Sequence, residues 1–437
     1  MKFSKKKLLI LIIILSFLLA VFLIFKHKKQ LYFYLVDKIT QVVDFKFKLI
    51  DNQEIFFNKK KIYFKRFSND KLRYRFYLSQ DTDNIYLISK EGAIFLVKKK
   101  EILNKNNIKL KRLDTNLKKI IGEKYISKYR SIIKGITLLN KKVYVSYLSN
   151  KNGCFTNAIA SGTFVNEYIN FTPLIELDEC KQIFNYSVGG IIKPYKKDNL
   201  ILSTGDFQIP EQMSTEIDNE KINVLKSDPQ NKDSFFGKIL SINVNTKKIS
   251  IVSLGHRNPQ GLFYDSKKDI IFSTDHGPKG GDEINIDVEP NKPVKNFGWP
   301  KSSYGVRYEE DLNYIDELCK NLFQIEYGLL CKSHKKYGFH EPAKYFSPSI
   351  GITQILKLDH IESDDNYNLL VASMGYDKDE GDMTIYKILL NKFNNILVEE
   401  KYYIGERIRD MINLNNEFIL ISLESAPAPS IGLIKLD

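Results

Sequence analysis

One pattern recurs along this chain and limits its fold more than any other feature: an apolar run ending in a small or hydroxyl residue, a polar turn, then a second apolar run. It occupies residues 84–97, 143–154, 199–206, 269–286, 368–388 and 417–436. The runs are short and rich in Ile, Val, Leu, Phe and Tyr, with Gly, Asn, Asp and Lys between them, the chemistry of strands and turns. Helical periodicity is scarce beyond the N-terminal residues. Six such units, each able to form a small antiparallel sheet, predict radial repetition. The expected fold is therefore all-β, a six-bladed β-propeller. The segment from about 59 to 76 is expected to supply a strand closing the ring against the C-terminal unit. Residues 304–345 read as an excursion over one face, not a second domain.

Ahead of these units, residues 8–25 are apolar except for Ser16, with Lys2, Lys5, Lys6 and Lys7 before them and Lys26, His27, Lys28 and Lys29 after. Such a run rises about 27 Å as a helix, enough to cross a bilayer core. A cleaved leader would have a shorter apolar region and a small-x-small site. Residues 1–28 are thus expected to be an uncleaved transmembrane anchor, 29–50 a linker or first strand, and 51–437 the propeller. The heavier N-terminal lysine cluster orients that anchor with its N-terminus in the cytoplasm. The body is then exported: a single-pass protein of the cytoplasmic membrane, its propeller in the periplasm or outside the cell.

The formal charge of +14 comes from lysines scattered along the whole chain. No basic run is interleaved with aromatics, so a nucleic-acid partner is not expected. Hydrophobic residues at 43% and aromatics at 12% are ample for a core. Cys154 and Cys180 lie in one region, Cys319 and Cys331 in another, and neither pair has a CxxC spacing that would suit zinc. Two local disulfides are natural in an oxidising compartment; four reduced, buried thiols are the alternative.

The most specific text is GHRNPQG at 255–261, DHGPKGGDEIN at 275–285 and NFGWP at 296–300. These turns place an arginine, backbone-exposing glycines and a carboxylate pair between apolar strands. That chemistry suits an anionic cofactor and a hard metal ion better than a plain hairpin. In order and spacing the three motifs resemble the soluble quinoprotein glucose, sorbosone and aldose-sugar dehydrogenases. VYVSY at 143–147, FFGKILSI at 235–242 and ERIRD at 406–410 sit where that family has equivalents.

The resemblance implies a six-bladed propeller that uses pyrroloquinoline quinone (PQQ) with calcium to oxidise an aldose-type sugar at the anomeric carbon. PQQ is a planar ortho-quinone with three carboxylates, and arginine pairs with carboxylate and stacks on planar rings. By resemblance Arg257, Asn258, Arg407, Arg409 and Asp206 line the cofactor pocket. The backbone carbonyls of Gly277 and Pro278 would hold the calcium that polarises the quinone, and Glu283 with the Phe297 carbonyl belongs to a second calcium site.

Departures from the family pattern are selective. Its catalytic histidine precedes a Gly-Gly-Arg-Leu stretch; here NYSVGGIIKP at 185–194 puts Ser187 at the histidine position and Ile191 at the arginine position. Losing a general base lowers rates by about 10²–10⁴-fold, roughly 3–5 kcal/mol of barrier. The family's pocket glutamine falls near Tyr129 and its pocket lysine near Gly375, with Lys378 three residues on. His276, in the DHGP turn, is the candidate replacement base; His256 reads as structural. Two functions follow. One is an active sugar dehydrogenase. The other is a degenerate relative that binds calcium and an anionic or glycan ligand without turnover, and a bare interaction platform is a third, weaker reading.

Overall fold

The computed structural model describes residues 45–57, 60–68, 75–128, 131–182, 187–207, 229–278, 280–305, 334–358, 366–375, 382–424 and 430–436. The expected anchor, Tyr129, Lys378, Cys319, Cys331 and most of the 304–345 excursion lie outside the described residues. Among the described residues no helix is long and apolar enough to cross a membrane. Helical segments there, such as Lys99–Asn104 and Leu117–Ile121, run to only five or six residues.

Strands β1 (Phe45–Phe57) and β2 (Lys60–Ser68) form an antiparallel hairpin. An antiparallel sheet follows from β3 (Phe76–Gln80), β4 (Asn84–Ser89), β5 (Ile94–Lys98) and β6 (Asn107–Thr115). The next consists of β7 (Ile133–Leu139), β8 (Lys142–Lys151), β9 (Cys154–Val165) and β10 (Tyr168–Glu176). After it come β11 (Gly189–Tyr195), β12 (Asn199–Thr204), β13 (Lys238–Asn243) and β14 (Ile249–Leu254).

Strands β15 (Pro259–Asp265), β16 (Ile270–Asp275) and β17 (Asp282–Val288) begin another sheet. The short β18 (Lys295–Asn296) returns to pair parallel with β14, and β19 (Lys344–Phe346) pairs with β17. A further sheet holds β20 (Ile352–Lys357), β21 (Asn366–Ser373), β22 (Thr384–Asn391) and β23 (Ile396–Tyr403). The last strands are β24 (Ile408–Asn413), β25 (Phe418–Leu423) and β26 (Ser430–Leu436).

First strands of successive sheets pack in a cycle: β3 on β7, β7 on β11, β11 on β15, β15 on β20, β20 on β24, and β24 back on β3. The result is an all-β, propeller-like fold. Its ends are joined by sheet pairing, because β2 lies antiparallel to β26 from Ile62 opposite Leu436 to Ser68 opposite Ser430. The closing strand expected between 59 and 76 is β2. Residues 45–50 belong to β1, so the boundary drawn at 51 falls inside a strand.

Each recurring sequence unit contains the second strand of a sheet with the turn that follows. The structure supplies a reason for the hydroxyl at its end. Ser146 Oγ on β8 donates to the Gly190 carbonyl on β11 at 2.6 Å. Ser203 Oγ on β12 donates to the Pro259 carbonyl on β15 and accepts from Ile191 N, both at 3.0 Å. Thr274 Oγ1 on β16 donates to the Thr353 carbonyl on β20. A buried carbonyl without a partner is costly, and these hydroxyls meet that need between sheets.

Two side chains tie four of the first strands together. Gln354 on β20 accepts from Leu262 N on β15 at 3.0 Å and donates to Asp410 on β24 at 2.9 Å. Asp410 in turn accepts from Leu78 N on β3 at 2.7 Å. Apolar clusters fill the wedges between sheets; Phe47, Phe76 and Phe95 pack edge-to-face with ring centroids 6.3 and 5.8 Å apart. Each such side chain contributes about 1.5–3 kcal/mol on burial. Outside the core, Cys154 and Cys180 form a disulfide.

Candidate functional site

The turns singled out in the sequence meet where the first strands begin. Gly255, at φ +79°, opens the β14–β15 turn; an added Cβ would stand 2.3 Å from Asn296 Oδ1, so only glycine fits. Asp275, at the end of β16, fixes the rest of that turn. Its carboxylate accepts from Arg257 N at 3.0 Å and Asn258 N at 2.6 Å. His256 is fully buried, bridging Asp275 at 3.2 Å and Ser253 Oγ at 2.8 Å. The imidazole is a strut of the turn.

With the backbone held, the Arg257 guanidinium donates through Nη1 to the carbonyls of His276 and Gly277, both at 2.8 Å. It lies 5.5 Å from the centre of the Trp299 ring, whose Nε1 donates to Asp206 at 2.8 Å. Asp206 N closes the loop by donating to the Arg257 carbonyl at 2.8 Å. Arg257 Nε is buried without a partner among the described residues. A cavity of about 10 Å³ adjoins Arg257, Gly277, Glu283 and Trp299, with room for one water-sized sphere.

His276 is 29% exposed at its side chain, and its Nδ1 lies 2.8 Å from Asp282 Oδ1. Asp282 also accepts from the backbone N–H groups of Gly277, Ile350 and Ile352 at 2.9, 3.0 and 2.9 Å. Burial works against its ionisation, but His276 and these donors outweigh it and hold the carboxyl below its ordinary value. With Nδ1 set against Asp282, the other ring nitrogen, Nε2, has no hydrogen bond among the described residues.

The expected calcium ligands are already engaged. The Gly277 carbonyl serves Arg257, and the Pro278 carbonyl accepts from Ser349 Oγ at 3.1 Å. Glu283 meets His334 Nε2 at 3.1 Å and Asn285 Nδ2 at 3.3 Å. Phe297 packs between His256 and His340, at 5.0 and 5.6 Å between ring centres. Among the described residues no group of three His, Cys, Asp or Glu is placed to hold a metal ion.

Ser187 is buried, and its carbonyl accepts from Phe207 N at 3.0 Å. Its loop joins the arginine turn through Gly189 N, which donates to Asn258 Oδ1 at 3.1 Å. Ile191 packs in an apolar cluster where the family pattern has arginine. At Gly375 an added Cβ would stand 1.9 Å from the Asp382 carboxylate, so a side chain there requires that carboxylate to move.

Arg409 enters from β24. Its Nη1 donates to Gln260 Oε1 at 3.4 Å, and Gln260 Nε2 donates to Asn258 Oδ1 at 2.7 Å. Both arginine turns therefore share one polar chain. Glu424, 3% exposed at the end of β25, gathers the cations: Arg409 at 2.5 Å, Lys90 at 2.6 Å, Arg75 at 3.5 Å and Arg407 at 4.0 Å. Burial opposes its charge, but Arg409 and Lys90 prevail and hold the carboxyl far below its usual range. Burial and Arg409 push the amines of Lys90 and Lys134 down to about 7, against the pull of Glu424.

Sequence reading did not find Asp275, Lys90, Lys134 or Glu424. Lys134 had a visible signal, a charge inside the apolar run IIKGITLL; Glu424 had none.

Comparison with known proteins places these turns in context. A family model described as Glucose / Sorbosone dehydrogenase matches residues 138–429. The aldose sugar dehydrogenase YliI of Escherichia coli K12 is 44% identical over 61 residues, 14% of this chain and 15% of that protein. Quinoprotein glucose dehydrogenase B of Acinetobacter calcoaceticus is 33% identical over 92 residues, 18% of each chain. Matches to these curated relatives span less than a fifth of the relatives' own lengths. The crystal structure of the soluble aldose sugar dehydrogenase from Escherichia coli in its apo form superposes with a TM-score of 0.59 at 16% identity, covering 86% of this chain and all of that one. That likeness is one of fold.

Proposed function

The chain belongs to the glucose/sorbosone dehydrogenase family, and from that premise we propose that it is an exported, membrane-anchored, PQQ-dependent dehydrogenase that oxidises an aldose-type sugar at its anomeric carbon. The observation that carries this reading is the Asp282–His276 pair: one ring nitrogen tied to a buried carboxylate, the other unbonded, on a partly exposed side chain. A buried carboxylate that orients an imidazole and stabilises its protonated form is a general-base arrangement. It offers a base where Ser187 offers none. The cycle of first strands supports counting six blades, and the lysine-flanked run at 8–25 supports the anchor.

Cations fit the quinone. Arg257 has a buried donor without a partner, and Arg407 and Arg409 stand with Lys90 around a single glutamate. Three carboxylates would find charge there to meet. When bound, PQQ supplies the two-electron acceptor for hydride from the anomeric carbon. His276 Nε2 takes the proton of the anomeric hydroxyl, Asp282 holds the imidazolium that results, and Arg257 sets the carbonyl of that same histidine. Calcium at Gly277 and Pro278 fits less well, because the Arg257 guanidinium already bonds the Gly277 carbonyl and would repel a dication.

Ser187 and the filled position at Gly375 favour a second reading, a ligand-binding relative without turnover. Reconstitution of the protein with PQQ, with and without calcium, and a dye-linked assay on a sugar panel separates the two. Turnover that His276→Ala abolishes is expected; PQQ binding with no turnover of any sugar would leave the second reading standing, and no binding would reject both.

A further inference from the structure

Lys134 is a cation for which the described structure provides no counter-ion. It stands near the start of β7, 8% exposed, in a strand whose neighbours Ile132, Ile133 and Ile136 are core residues. Its stem lies over Gly190, where an added Cβ would stand 2.4 Å from Lys134 Cβ and 2.6 Å from Cγ. Among the described residues its ammonium makes no hydrogen bond and no ion pair. Arg409, Lys90, Arg75 and Arg407 all lie within 4.0 Å of Glu424, while Asp410 also acts on Arg409 and Glu91 on Lys90. None of these carboxylates bonds the Lys134 ammonium among the described residues. A buried amine in that field is costly without an anion.

We propose that Lys134 is a carboxylate receptor: one acidic group of an organic anion binds its ammonium, which is buried and has no bonded carboxylate among the described residues. Naming that anion as the quinone tricarboxylate rests on the function proposed above; the receptor itself follows from the buried, unpaired amine.

Binding is then linked to a proton. In the free protein burial and Arg409 push the Lys134 amine down to about 7, and a bound carboxylate raises it again. Arg409, held above its ordinary value against burial by Glu424, stays charged, and Tyr77, pushed up to about 12 by burial, stays neutral. Lys90, also about 7, titrates over the same range but is already bonded to Glu424. Below pH 7 Lys134 is charged and adds no pH dependence. Above it, binding must take up a proton, so affinity falls by about tenfold per pH unit on account of Lys134.

The test is a titration of the full chain between pH 6 and 9, by calorimetry in two buffers of different ionisation heat, with PQQ and separately with citrate as a redox-inert tricarboxylate. Lys134→Met is expected to weaken both probes at least tenfold at pH 6, and Lys134→Arg to keep binding while taking up about one proton fewer at pH 8.5. Thermal unfolding checks that both variants fold; Lys134→Met removes an unpaired buried amine and should be no less stable than the parent. Citrate binding through Lys134 without PQQ binding keeps the receptor and rejects the quinone. PQQ binding unchanged in Lys134→Met, with the same proton uptake, overturns the receptor and keeps the quinone. If neither probe binds the parent protein, both fall.

Discussion

Asp282 Oδ1 lies 2.8 Å from His276 Nδ1, and the same buried carboxylate takes three backbone N–H groups from two turns. One side chain thus aims the imidazole and clamps the β16–β17 turn to the start of β20.

That double duty predicts a large loss on truncation. Asp282→Ala would leave three buried donors and an imidazole unpaired, about 3–5 kcal/mol of stability. The pH dependence follows from the sign of its shift. A carboxyl held below its ordinary value stabilises the fold above the unfolded-state aspartate range, and that contribution is lost as pH falls through the folded value. Urea unfolding at a series of pH values should show stability falling into acid for the parent and a shallower fall for Asp282→Asn.

Among the described residues Glu424 lies within 4.0 Å of four cations. Glu424→Gln would take from Arg409 and Lys90 the carboxylate that bonds both, costing about 3–5 kcal/mol. Chemical denaturation would read the loss. A shift within about 0.5 kcal/mol of the parent would mean that the cluster contributes little.

Ser203 tests the rule behind the recurring sequence pattern. Ser203→Ala leaves Ile191 N and the Pro259 carbonyl without their shared partner, with an expected loss of about 1–3 kcal/mol. An equivalent change at the exposed Thr246 should be near neutral. Equal effects at both positions would show that the inter-sheet hydroxyl does not matter.

The Cys154–Cys180 bridge spans a sequence separation of 26, for which chain entropy gives about 3–4 kcal/mol. Cys180→Ser should lower the denaturation midpoint accordingly, and reductant should then shift the variant less than the parent.

Turn chemistry made much of the site legible. Gly255, Arg257, Asn258, His276 and Gly277 sit in short motifs whose residues are local neighbours, and a motif reading reaches as far as local neighbours do. The strand units were legible for the same reason: alternation and a terminal hydroxyl are written within a dozen residues. The surroundings of the expected calcium ligands were less so, because the acceptors at Gly277 and Pro278 are backbone atoms, and which donor reaches them depends on side chains from Arg257 and Ser349.

Strand content, the closing strand at the N-terminal end and the arginine-bearing turn follow from the order of residues alone, since each rests on preferences acting over a few peptide units. Which charges meet does not. Leu78 and Asp410, 332 residues apart, are bonded only because the ring closes, and that same closure brings Lys90 and Arg75 to Glu424. Electrostatic energy depends on distance and burial in space, and neither is fixed until the sheets have packed.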